Sequence, residues 1–488
     1  MKSNAGGKLS RFYADTCGAN HAGQLHKIVA AVCLSLLAAC GTGAQTSGIG
    51  VNASSSGSGG SSSSSSSSSG GSSSSSSGSG SSGNGGSGSS SSSSGSTSSS
   101  SGVASVAILH SFTGGVGGST DTSFPTTGVI QGADGNFYGT TYEGGSGTPM
   151  PGFPGGGTAF KVTPAGVESV LYSFTDNRAD GTDPHAGLTL GTDGNLYGTT
   201  LFGGNPAGSD FAEGGTAFKI TPAGVETVLY TFGTQPGDGG GIVSGLIQGS
   251  DGNFYGTAEE SQVGPGNVYK ITPAGVETVL YSFRGSPDGE SPTAALVQGS
   301  DGNFYGTTPA GGSYSRGTVF KITSSGAETI LYSFGASHSD ALGPGVGLVQ
   351  GRDGNFYGTT TGGGSASSSC PQGCGAVFKI TPLGVETVLY SFGSSPNDGQ
   401  EPGGLILGSD GNFYGVTGGG GANGDGTAFT ITPFGVETVL YSFGSVPDDG
   451  LFPSASLFQG SDGTFYGTTA RGGAAEEGTV FKLTMGGS

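Results

Sequence analysis

The 488-residue chain has no tryptophan, three methionines and few charged residues, with only 15 Lys and Arg against 34 Asp and Glu. The shortage of basic residues argues against a nucleic-acid partner, and against the repeats docking on an anionic membrane surface. The lack of Trp weakens a sugar-stacking site; Tyr142, Phe202 and Tyr314 are the aromatic substitutes. No Gly-x-Ser-x-Gly, His-Glu-x-x-His or phosphate-loop pattern occurs, and His110, His185 and His338 fall at unrelated positions, so no catalytic set is legible. There is no apolar run long enough to span a bilayer, and no segment with a persuasive helical period.

What the chain has in excess is glycine, 106 residues of it, without the Gly-X-Y period of collagen. Part of it lies in residues 45–102, almost pure Ser and Gly, which cannot bury apolar surface and are expected to stay disordered. About 60 such residues form a coil with a reach of roughly 40–45 Å. Before this tether, Lys2, Lys8, Arg11 and Lys27 precede the apolar stretch Ile28 to Ala39, too short for a mature transmembrane helix. The stretch ends in Leu37-Ala38-Ala39-Cys40-Gly41, which resembles the bacterial lipobox. The resemblance implies cleavage before Cys40, acylation of Cys40, and anchoring to the cell envelope, with Gly41 fitting outer-membrane sorting. The alternative is an ordinary signal peptide with a chance Cys. The expected organisation is a signal peptide over 1–39, a lipidated Cys and tether over 40–104, and a repeat domain over 105–488. Processing would leave a net charge of −22.

Cys370 and Cys374 are the other cysteines beyond the signal segment, in the loop Cys370-Pro371-Gln372-Gly373-Cys374. A loop disulfide is expected in an oxidising compartment. A redox-active pair would have two intervening residues and a following helix, and a metal site would need two further ligands.

From Ser105 onward the chain repeats. The marker Asp-Gly-Asn-Phe-Tyr-Gly-Thr-Thr recurs with its Tyr at 138, 197, 255, 305, 357, 414 and 466. Seven units of 50–60 residues, each reading as four short strands, predict an all-β, seven-bladed propeller. In one unit the strands are Ala295–Gln298, Phe304–Thr308, Thr318–Thr323 and Glu328–Phe334. The last unit stops at Lys482-Leu483-Thr484 without its fourth strand. Val106-Ala107-Ile108-Leu109-His110-Ser111-Phe112, before the first unit, aligns with that strand. The N-terminal strand should therefore complete the last blade and close the ring. Short, near-identical turns (Asp-Gly-Asn, Pro-Ala-Gly) then lie on one face, and long, divergent loops on the other. The variable face is where a ligand would bind.

These units, running from Gly-Leu-Ile-Gln-Gly-Ser-Asp-Gly-Asn-Phe-Tyr-Gly-Thr to Phe-Lys-Ile-Thr-Pro-Ala-Gly-Val-Glu-Thr-Val-Leu-Tyr-Ser-Phe, resemble the GloVer (Gloeo/Verruco) tandem repeat of exported "choice-of-anchor" bacterial proteins. The resemblance covers residues 105–484 and implies an extracytoplasmic location; it supplies no catalytic residues. More loosely, the Asp-Gly-Asn-Phe-Tyr hairpin resembles NHL-type propeller blades, which implies that Gly-Leu-Ile-Gln is the innermost strand.

Three sets of charged residues stand out. Lys161, Lys219, Lys270, Lys321 and Lys379 recur seven residues before Glu168, Glu226, Glu277, Glu328 and Glu386, which predicts exposed Lys–Glu pairs across the outer hairpin, with Lys482 facing Val106. The Asp of each Asp-Gly turn reads as a turn former. The acidic loops joining one blade to the next carry Asp180, Asp183, Asp288, Glu290, Asp398, Glu401, Asp448 and Asp449. These are candidate Ca²⁺ ligands if backbone carbonyls complete the shell, and otherwise solvated turns closed by Pro. The functional expectation is a non-enzymatic, envelope-anchored, monomeric binding or structural module whose variable face contacts a protein or polysaccharide. The alternative is an extracytoplasmic carbohydrate-active hydrolase or lyase, which needs two carboxylates roughly 5–9.5 Å apart for hydrolysis.

Overall fold

The computed structural model describes residues 104–486, apart from 115–121, 126, 147–154, 176–178, 205–213, 262–263, 338–339 and 367–369. The sorting segment, Cys40, the tether, Asp121 and His338 lie outside the described residues. Within them the fold is all-β: seven blade sheets follow one another along the chain, six of four meandering antiparallel strands and the sixth blade of five. The fourth blade runs Val297–Gln298, Phe304–Thr308, Thr318–Ile322 and Glu328–Ser333. The innermost strand is shorter than its sequence suggests. The seventh blade is closed as expected: Ser105–Ser111 pairs antiparallel with Thr479–Thr484, Ser105 opposite Thr484.

Each blade is apolar on both faces because each is packed between two others. The marker Tyr stacks on the Phe before the marker Tyr of the next blade, with ring centroids 3.9 Å apart for Tyr255 and Phe304. The same contact crosses the closure, Tyr466 to Phe137 at 4.2 Å. A second aromatic contact lies further out, Phe283 to Phe320 at 5.1 Å, and it too is repeated at the closure by Phe112 and Phe160 at 5.2 Å. The invariant Gly of Phe-Tyr-Gly-Thr makes room for these rings: a Cβ on Gly306 would lie 2.5 Å from the Phe320 ring.

The Asp-Gly turns are clamped from within. In all seven, the marker Tyr hydroxyl donates to the turn Asp, from Tyr138 to Asp134 at 2.7 Å through Tyr466 to Asp462 at 2.9 Å. Burial works to raise the pKa of Asp301, but bonds from Asn303 and Tyr305 and the nearby Lys321 outweigh it and leave it lowered. Inner strands are linked from blade to blade by Gln side chains: Gln298 accepts from the Ser250 amide, Gln350 from Ser300 and, at the closure, Gln131 from Ser461.

The Lys–Glu pairing expected across the outer hairpin is corrected by the register. Val162 lies opposite Glu168 and Lys161 opposite Ser169, so Lys and Glu point to opposite faces of the sheet. The turn sets this: the Val167 amide donates to the Thr163 hydroxyl and the Thr163 amide to the Val167 carbonyl, which makes Thr163 and Val167 the last pair. Lys482 likewise faces Ala107, not Val106. The lysines instead reach the Asp-Gly turns, with Lys321 3.6 Å from Asp301 and Lys482 3.5 Å from Asp462.

Candidate functional site on the variable-loop face

In six of the loops that enter a blade, the Asp shared by the repeats turns inward. Tyr172 donates to Asp180 at 2.6 Å, Tyr281 to Asp288 at 2.8 Å, Tyr390 to Asp398 at 3.0 Å and Tyr441 to Asp449 at 2.8 Å. Tyr230 and Tyr332 do the same with Asp238 and Asp340. Loop amides complete the clamp, as from Gly335 and Ala336 onto Asp340. These carboxylates organise the loops. Of the other candidate ligands, Asp183 and Glu401 sit at a separate backbone position, Glu290 lies in the short ladder Gly289–Glu290 with Ala310–Gly311, and Asp448 is exposed. Among the described residues no three His, Cys, Asp or Glu side chains converge. The eight carboxylates lie two to a loop on four of the loops, so a Ca²⁺ shell there would need backbone carbonyls to complete it.

Three residues after that Asp, each loop holds one residue in the left-handed region. The seven are Phe124, Asp183, Gly241, Ser291, Gly343, Glu401 and Phe452, with φ between 51° and 64°. All but Gly241 precede a proline. Such a φ is strained for Asp, Ser or Glu and more so for Phe. It persists because the amide is latched to the preceding blade. Phe124 N–H donates to the Glu477 carbonyl, Asp183 to Gly156, Ser291 to Pro265, Gly343 to Arg316, Glu401 to Cys374 and Phe452 to Asp425, at 2.7–3.0 Å. One backbone geometry therefore presents Phe, Asp, Ser or Glu at five seams and Gly at two. Sequence reasoning missed this ring; the recurrent Pro after the acidic loop residues was its only trace.

Short two-stranded ladders, also unseen in the sequence, join the same loops, as between Gly239–Gly240 and Glu260–Ser261. Cys370 and Cys374 form a disulfide with Cα atoms 5.2 Å apart, and Cys374 is the residue that latches Glu401. Tyr142 meets His185 edge-on at 5.9 Å, and burial lowers the His185 pKa. At the closure, burial and then the Glu477 charge raise Glu143 to about 7, while Arg471 pulls it down. Arg471 also lies over the Phe124 ring at 5.5 Å. Glu259 is likewise pushed up to about 7, by burial and then Glu260.

A seven-bladed ring with one constant and one variable face defines the class: a repeat propeller. The chain belongs to the Gloeobacter/Verrucomicrobia repeat family, whose model matches residues 62–300, 147–370 and 293–488. No curated protein matches the chain. Similar solved structures include a fungal alcohol oxidase of the AA5 family in complex with copper, 15% identical over 78% of this chain and 76% of that one, TM-score 0.49. A protein described as a 6-phosphogluconolactonase from Bacteroides uniformis is 14% identical over 68% of this chain and 88% of that one, TM-score 0.44. The extracellular domain of a protein described as a hybrid two-component system from B. thetaiotaomicron is 11% identical over 74% of this chain and 38% of that one, TM-score 0.46. At these identities and TM-scores they carry no argument about this chain.

Proposed function

We propose that this protein is an exported, lipid-anchored binding module that recognises a protein or polysaccharide through its variable-loop face. The supporting observation is the ring of seven left-handed residues, six of them latched to the preceding blade, carrying Phe, Asp, Gly, Ser, Gly, Glu and Phe in turn. A strained position held in five of the seven blades while its side chain changes fits a ligand clamp. Phe124 and Phe452, on adjacent blades, supply the apolar contacts and Glu401 the acidic one, while Asp183 is buried. The lipobox-like segment and tether supply the anchor.

Glycine accepts a positive φ without strain. Replacing Phe124, Glu401 and Phe452 together by Gly therefore removes the recognition groups while keeping the backbone. The variant is expected to melt at or above the wild-type temperature and to lose the wild-type signal on a glycan array and in a pull-down of envelope proteins. Undiminished binding by the variant would sink the assignment of this ring.

Glu143 supports a second, hydrolytic reading. A carboxyl near pKa 7 with Glu477 as electrostatic neighbour has the protonation a general acid needs. Polysaccharide cleavage that disappears in Glu143→Gln would favour it.

A further inference from the structure

The opposite face has a feature that the binding reading leaves unused. The turns between third and outer strands form its rim, and their apolar residues differ around the ring. The first three blades show Ala with Val167, Val225 or Val276, and the fourth shows Ser325 and Ala327. The fifth and sixth blades carry Leu383 and Phe434 at the tips, 91% and 89% exposed, with Val385 and Val436 beside them. On the seventh blade the corresponding turn is open: Met485 is exposed where one strand ends, and Ala104 leads into the closing strand. Five apolar side chains thus occupy one sector, immediately beside the point where the tether joins the domain. No comparable large tips stand on the other blades.

We propose that this sector, Leu383, Val385, Phe434, Val436 and Met485, is a membrane-contacting edge that dips into the interfacial layer of a phospholipid leaflet. The proposal rests on the lipid-anchor reading. Three observations favour a bilayer over a protein partner. The side chains stand in small groups on separate turns, two each on the fifth and sixth blades and Met485 at a strand end, a form suited to a fluid surface. Five residues are well short of the roughly 20–30 per side of a stable protein interface. The chain between Cys40 and Val103 ends at this rim, so an anchored molecule presents it to the membrane at high effective concentration, and weak insertion is sufficient. The Asp-Gly turns on the same face are acidic, which selects zwitterionic over anionic lipid.

The protein contains no Trp, so Phe434→Trp places a single indole on the edge and Ser325→Trp a control on the fourth blade. The full chain, matured in an exporting host, is reconstituted into phosphatidylcholine vesicles with and without brominated acyl chains. Flotation reports the anchor; indole emission reports the edge. The expected result is a blue shift and about twofold quenching by brominated lipid for Phe434→Trp, and neither for Ser325→Trp. Flotation with both indoles unquenched would overturn the edge and leave the anchor standing. Failure to float, with no quenching in excess vesicles, would overturn both. A blue shift without quenching that grows with protein concentration would mean that a second copy covers the sector, and would overturn the membrane assignment.

Discussion

Five of the seven blade seams are alike and the two involving the closing blade are not. At an interior seam the Glu that begins one outer strand lies beside the Tyr hydroxyl and loop Asp of the preceding blade. Glu386 is in this position with Tyr332 and Asp340, and Glu437 with Tyr390 and Asp398. Glu226, Glu277 and Glu328 repeat it, and all five are pushed up to about 7, first by burial and then by that Asp. Where the sixth blade meets the seventh, the Glu position is Val106, and no Glu acts on Tyr441. Where the seventh meets the first, the Tyr position is His110, so the Glu168 seam carries a side chain able to bear positive charge. The closing strand thus departs from the repeat at both seam positions, and at Val106 it removes the carboxyl that elsewhere faces a like charge. A seam held by chain continuity tolerates a cost that one held by a docked terminal strand does not.

The largest expected effect tests that difference. Phe112→Ala and Phe392→Ala each remove a fully buried ring from an equivalent interblade contact, and such deletions cost about 3–5 kcal/mol. The outer strand of the fifth blade is held in place by a hairpin, Ala376–Ile380 with Glu386–Ser391. The closing strand is held by its pairing and packing alone. Urea denaturation should find Phe112→Ala the more destabilised of the two. Equal losses would show that closure is no weaker than an interior seam.

Next in size is the pH dependence. A Glu raised to about 7 in the folded protein keeps a proton that the unfolded chain has released, so it favours folding at low pH. That contribution declines as pH rises from about 4.5 to 7 and is gone above. The turn Asp carboxyls, lowered on folding, work the other way: their contribution is present above their ordinary range and lost as pH falls through the depressed value. The melting temperature should therefore peak on the acid side, near pH 5, and be lower at pH 8. Glu386→Gln should raise it at pH 8 and change it little at pH 5. A flat profile from pH 5 to pH 8 would remove the carboxyl pairs from the account of the seams.

The blade count, strand order and closure were legible because each rests on a period, and a period survives substitution. The Lys–Glu register was not: a spacing of seven suggests a pair, but the Thr163–Val167 bridge places Lys161 opposite Ser169. The left-handed ring was hidden because its residues vary from seam to seam, and only a backbone angle unites them. The Glu–Asp pairs were hidden because they join different blades, and the tilt of one blade on the next is not written in any spacing along one chain. Of the candidate site, the variable face was readable as divergent loops; the latch beneath it was not.

The smallest effect probes the same comparison from the closing side. Val106 packs against the cluster that includes Phe443 and Phe481, so any polar replacement loses some burial. Val106→Glu would also restore the repeat residue beside Tyr441 and Asp449, and with it the like-charge contact that the native closure avoids. Val106→Gln loses the same packing without the charge and isolates the electrostatic part. The two variants should melt together at pH 5, where the new carboxyl keeps its proton. At pH 8 the Glu variant should melt a little lower, since ionisation beside Asp449 is opposed by a neighbour of the same sign. Agreement of the two variants at both pH values would mean that Val106 is present for packing alone, and that the difference between closing and interior seams is not electrostatic in origin.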